Sequence, residues 1–329
     1  MLIFDANQSA PLLPVPPPVR ADLRRLSRAG GCALLLICIL QQLLGLAIGL
    51  APRLIPGYHQ LMRAVGPVYF NGLLYLATSV LAVMPGALLG LRMLTPAEQN
   101  RALPFSGRRG TETKAQRLPI IFAGAALCLL SNTVTAVLSS FVKQFGLEFT
   151  GPDSATATTL PGVLFSLLTI AVVPALVEEL FMRGVLLQPL RRYGDGFAVV
   201  CSALLFALLH QNMVQAPMAF FSGLVLGWAA VRTGSLWAPI GIHMWNNAAS
   251  VILSALEEKA GEGSYVFLVY LLALGALGLV SLFVLLLQRQ PRPRPVPPPR
   301  RARHYLLGSA AMVIALIYFL AMLGYSIRR

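Results

Sequence analysis

Apolar stretches of about twenty residues recur from one end of this chain to the other, and they leave few folds open. Roughly 20 consecutive apolar residues cross a bilayer's hydrocarbon core as a helix. Inside that core only helices and closed barrels satisfy their own backbone polar groups. Of 329 residues, 57% are hydrophobic and 12% charged, against about a quarter charged in soluble domains. The alternating pattern of an outer-membrane barrel, in segments of about ten residues, is absent. The expected fold is all-α, a polytopic membrane helical bundle. Its nine transmembrane segments fall near 30–51, 67–91, 118–142, 160–192, 196–210, 214–231, 235–256, 264–287 and 305–325.

The net charge of +14 is a topology signal in such a chain, not a nucleic-acid footprint, because the bases gather in a few loops. They occupy Arg20–Arg28, the loop 92–117 (Arg92, Arg101, Arg108, Arg109, Lys114, Arg117) and the proline-stiffened linker 288–304. These segments are expected on the cytoplasmic side, in contact with anionic lipid headgroups. Glu148, Asp153, Glu257, Glu258 and Glu262 mark the loops 143–159 and 257–263 as external. The assignments alternate through all nine segments, with the N-terminus cytoplasmic and the C-terminus outside, although Arg328 and Arg329 pull the other way. A multi-pass protein of the cell (inner) membrane is the expectation. The start, Met-Leu-Ile-Phe and then a polar stretch from Pro11 to Pro18, lacks the order of a cleaved signal peptide. Cys32, Cys38, Cys128 and Cys201 lie in apolar segments without metal-ligand or CxxC spacing and read as small buried hydrophobes. No internal repeat is visible, which weakens an inverted-repeat transporter.

Chemistry divides the chain. Residues 1–29 form a Pro-rich, basic N-terminal segment, 30–142 a three-helix scaffold, and 264–329 a C-terminal two-helix segment. The intramembrane His, Glu and Arg residues all lie within the core 160–256. A charge at the bilayer centre costs roughly 2.5–3.5 kcal/mol on insertion scales, so Glu178, Glu179 and Arg183 single out the helix 160–192. Glu179 and Arg183 are spaced i, i+4 and can pair on one face. Glu178 is turned about 100° away and has no basic residue at i+3 or i+4, which leaves it to act as a general base or acid. Pro174 removes a backbone hydrogen bond one turn upstream and is expected to kink the helix.

His59 and His304 lie in polar loops, whereas His210 and His243 lie in apolar helices. At 1.5 Å per residue, Glu178 lies about 22 Å from its cytoplasmic helix end, His210 about 21 Å, His243 about 15 Å and Asn247 about 21 Å. Four polar groups on three helices thus reach one level, as in a buried reaction chamber. Glu178 with His210 suits water activation, and His243 with Asn247, at i and i+4, suits oxyanion stabilisation. The same Glu178, His210 and His243 could instead hold zinc with water in the fourth place. No HExxH helix favours that arrangement, and the reading without a required cofactor is preferred.

Glu178-Glu179-x-x-x-Arg183, Phe206-x-x-x-His210 and His243-x-x-x-Asn247 follow one another on successive helices. The ordered triple resembles the CAAX-protease and bacteriocin-processing family of intramembrane proteases, over about residues 160–250. The resemblance implies a helical membrane endopeptidase with its active site opening toward the cytoplasm. Glu178 and His210 would activate water, and His243 and Asn247 would stabilise the tetrahedral intermediate. Glu179 and Arg183 would support the site, with Phe206 as packing. The family name does not decide between metal-dependent and glutamate-type chemistry. Peptides or membrane proteins are the implied substrates. A proton-coupled transporter and a non-catalytic peptide-binding or immunity protein are the competing classes.

Overall fold

The computed structural model describes residues 17–105, 116–151, 155–261, 264–288 and 302–328. The Pro-rich start, Arg108, Arg109, Lys114, Asp153, Glu262, Arg329 and residues 289–301 of the basic linker lie outside them. Each of the nine expected segments is helical among the described residues. The helices are α1 (Pro17–Leu54), α2 (Tyr58–Val65), α3 (Pro67–Ala77), α4 (Met84–Arg92), α5 (Pro96–Ala102), α6 (Arg117–Lys143), α7 (Leu160–Ser166), α8 (Val173–Glu179) and α9 (Gln188–Leu190). They continue as α10 (Asp195–Leu209), α11 (Ala216–Thr233), α12 (Trp237–Ala260), α13 (Val266–Leu287), α14 (Ala302–Leu306) and α15 (Ala310–Tyr325). Five stretches are long and apolar enough to cross a membrane: Val19–Leu54, Pro67–Arg92, Arg117–Lys143, Leu160–Tyr193 and Val266–Leu287. The other expected segments are shorter (α10, α15) or carry more polar side chains (α11, α12).

Among the described residues three π-helical segments interrupt the helices, at Thr78–Val83, Leu167–Val172 and Leu180–Leu187. Each is followed within two residues by a proline: Pro85, Pro174 and Pro189. Proline cannot donate to the carbonyl four residues back, and its ring collides with that carbonyl in a regular helix. Widening the preceding turn relieves the clash. The break expected at Pro174 therefore takes the form of a widened turn within a continuous helical path.

Packing is close where glycine allows it. A Cβ on Gly223 of α11 would stand 3.0 Å from the Ala203 backbone of α10, and one on Gly184 would stand 2.7 Å from the Ala102 carbonyl. The main core joins α1, the helical run 160–193, α10, α11 and α15. Two ends of the bundle are recognisable. At one, Arg25 donates to both oxygens of Glu98, at 2.9 and 2.6 Å, and Arg192 also pairs with Glu98. Asp22 accepts from Arg25 and Tyr193, and Arg20 and Arg24 stack over Tyr305. Segments expected on the cytoplasmic side thus meet. At the other end β1 (Glu148–Phe149) pairs antiparallel with β2 (Ile327–Arg328).

Glu98 is a hub that its sequence position in a polar loop does not announce. Burial pushes its carboxyl up, but hydrogen bonds from Arg25, the Thr95 backbone and Arg192 outweigh burial and hold it at about 2, from 4.5. A depressed carboxylate contributes stability that is complete above its unfolded value and is lost as pH falls through the folded one. Thermal unfolding in detergent should show a level midpoint at neutral pH and a fall between about pH 4.5 and about 2. Glu98→Gln should lower the neutral midpoint, by about 1–3 kcal/mol of stability, and flatten the acid fall; an unchanged acid fall contradicts the assignment.

Candidate active site

Glu179 and Arg183 anchor the centre. Their side chains have no exposed surface, and Arg183 Nη1 donates to Glu179 Oε1 at 2.8 Å. Arg183 Nη2 donates to the Gly223 carbonyl at 3.1 Å, and its guanidinium lies 4.6 Å from the Phe206 ring centroid. Burying both ions costs several kcal/mol each unless close pairing and further hydrogen bonds offset it. The π-helical segment Leu180–Leu187 carries Arg183, and Gly223 sits where α11 approaches α10 closely enough to present its carbonyl.

Glu179 has a second partner that the i, i+4 spacing could not reveal. His243 Nδ1 lies 2.9 Å from Glu179 Oε1, and its Nε2 lies 3.9 Å from Glu178 Oε2. A carboxylate accepts, so Nδ1 carries the proton and Nε2 faces Glu178. His210 is oriented by the same logic from a different acceptor. Its Nδ1 lies 2.8 Å from the Phe206 carbonyl; a carbonyl only accepts, so Nδ1 donates and Nε2 is left free. Phe206 separates the imidazoles, edge-on to His210 at 4.8 Å and to His243 at 5.7 Å. Packing, expected of Phe206, here includes contact with both histidines and the arginine.

Asn247 Nδ2 donates to the Ile170 carbonyl at 3.1 Å. In a regular helix that carbonyl would receive the N–H of residue 174, which proline lacks. Pro174 thus frees an acceptor, and Asn247 occupies it, keeping one amide hydrogen for other use. Glu178, His210, His243 and Asn247 all line one cavity of about 560 Å³. Glu178 retains 17% side-chain exposure where Glu179 has none.

Residues outside the core segment also reach this cavity. Gln41 of α1, Tyr75 of α3, Asn132 of α6 and Tyr270 of α13 line it. Asn132 donates to Asn246 at 2.9 Å. The flanking segments 30–142 and 264–329 are therefore part of the wall. Uncharged polar residues inside apolar runs were the available signal. The cavity has a definite direction within the bundle. It follows α12 from His243 to Glu257, and its uncovered lining residues are Ser250, Ser254 and Phe267. That direction leads away from the end where Glu98 meets Arg25 and Arg192.

The donor set suits zinc chemically, since a carboxylate and two imidazole Nε2 atoms face one space. Zinc would need them at about 2.0–2.2 Å from one point. Among the described residues no three His, Cys, Asp or Glu side chains gather so closely.

Removing one partner of a buried pair strands the other. Glu179→Gln should lower stability by about 3–5 kcal/mol, seen as loss of folded protein in detergent. Adding Arg183→Met to that variant should restore much of it. A Glu179→Gln protein as stable as wild type contradicts the anchor.

The comparisons fall on the same residues. Residues 158–249 match the sequence model of a family described as Type II CAAX prenyl endopeptidase Rce1-like. A protein of Staphylococcus aureus named membrane-embedded CAAX protease MroQ is 27% identical over 160 residues, 45% of this chain and 63% of that protein. An Escherichia coli protein described as an uncharacterized 24.3 kDa protein is 34% identical over 92 residues, 26% of this chain and 42% of its own length. The chain thus spans less than two thirds of these relatives. No solved structure matches it significantly. The segment bearing Glu178, His210, His243 and Asn247 is thus the part of the chain that is similar to the Rce1-like CAAX endopeptidases.

Proposed function

We propose that this protein is an intramembrane endopeptidase that hydrolyses peptide bonds of membrane-associated peptides or proteins by direct attack of water. The observation that carries the reading is the convergence of Glu178, His210, His243 and Asn247 on one cavity, with His210, His243 and Asn247 each held by a different neighbour. A water between the Glu178 carboxylate and His210 Nε2 loses a proton to Glu178 as its oxygen attacks the peptide carbonyl carbon. A positioned base of this kind contributes about 10²–10⁴ in rate.

The oxyanion that forms needs donors. The second amide hydrogen of Asn247 is one. His243 is the other: donating from Nε2 while Nδ1–H stays on Glu179, it gives the oxyanion a second hydrogen bond. Collapse breaks the C–N bond, and Glu178 returns its proton to the leaving amine. Zinc held by Glu178, His210 and His243 would supply a more acidic water; no step above depends on it.

The uncovered residues near Glu257 suit entry of substrate from that end. With the basic end in the cytoplasm, that is the external side of the cell membrane.

Purified protein in nanodiscs should cleave members of a membrane-peptide library. Glu178→Gln and His210→Ala should each lower kcat/KM by at least about 10²-fold while leaving the thermal midpoint within a few degrees. Activity should survive a strong chelator, with metal analysis of the active protein as the control. Full activity in folded Glu178→Gln overturns the reading.

A further inference from the structure

The cavity continues well past the reactive groups. From His243 its wall follows one face of α12 through Asn247, Ser250 and Ser254 to Glu257, at steps of three or four residues. Fourteen residues put Glu257 about 21 Å from His243 along the helix. An extended peptide covers that distance in about six residues.

Charge makes this wall distinctive. The protein carries +14 overall, yet among the described residues the cavity lining includes two carboxylates, Glu178 and Glu257, and no Lys or Arg. Glu178 faces the imidazoles. Glu257 is half-buried, and its carboxylate makes no hydrogen bond or ion pair among the described residues. A partly desolvated carboxylate gains by meeting a cation. Around it the wall offers Ser250, Ser254 and Asn246, hydrogen-bonding groups that suit a peptide backbone.

We propose that Glu257 is a specificity-determining residue, selecting substrates with a Lys or Arg side chain about six residues from the bond that is cut. The proposal rests on the peptidase reading for its scissile bond, but the contact itself is a binding property. It gives the long cavity a use: the reactive end acts on a peptide bond while the distal end reads charge.

The test separates binding from cleavage. An N-acetylated, fluorescently labelled 16-residue peptide, uncharged except for one Lys moved along its length, is bound to Glu178→Gln protein in nanodiscs. Affinity is compared with the matched Gln and Glu peptides by anisotropy. One register of Lys should bind about fivefold more tightly than Gln, the scale of a partly exposed ion pair. Adding Glu257→Lys should reverse the order to favour the Glu peptide, and Glu257→Gln should abolish the preference. Equal binding of all three peptides, or a Lys preference that persists in Glu257→Lys, overturns the proposal. The same peptides are then offered to protein with Glu178 intact. Glu178-dependent cleavage without charge preference counts against Glu257 alone, whereas charge-selective binding without any cleavage counts against the peptidase reading alone.

Discussion

The buried pair of Glu179 and Arg183 is the constraint on which the centre of the molecule depends. Two full charges without exposed surface are tolerated only if close pairing and further hydrogen bonds offset their desolvation. Three partners come from elsewhere in the chain: the Gly223 carbonyl from α11, the Phe206 ring from α10 and His243 Nδ1 from α12, while Glu179 Oε2 and Arg183 Nε stay without a hydrogen bond among the described residues. Pairing these groups draws three helices onto the segment 178–183. The geometry around Glu178 is a consequence. Its neighbour holds His243, His243 Nε2 points back at it, and the ring that covers Arg183 also spaces His210 from His243.

Proline plays the complementary part. Each of the three wide helical segments precedes a proline, and at Pro174 the freed Ile170 carbonyl becomes the acceptor that fixes Asn247. A defect in one helix thus positions a side chain on another. The two devices act on opposite sides of Glu178 along the same helical run. One supplies fixed charge, and the other a free backbone acceptor.

Much of this was legible in the amino-acid order, and the rest has an identifiable physical reason for being hidden. Helix lengths, the Glu179–Arg183 pair and the common level of His210 and Asn247 follow from 1.5 Å and 100° per residue, since they are properties of single helices. The contact of His243 with Glu179 joins residues 64 apart, and no helical period reports it. Glu98 was equally opaque: its partners Arg25 and Arg192 lie 73 and 94 residues away. Gln41, Tyr75, Asn132 and Tyr270 carry no charge and sit in strongly apolar surroundings, so composition hides their place in the wall. The direction of the cavity is a property of packing among α12, α13 and the π segment, and topology rules based on loop charge do not address it.

The central claim is that a water oriented by Glu178 attacks the peptide carbonyl without a covalent enzyme intermediate. A single turnover in ¹⁸O-enriched water, with enzyme in excess over peptide, tests it most directly by mass spectrometry of both partners. The account predicts one ¹⁸O in the newly formed product carboxylate and none in the Glu178 side chain. Label in Glu178 after the turnover would contradict it, because the carboxylate would then have been the nucleophile.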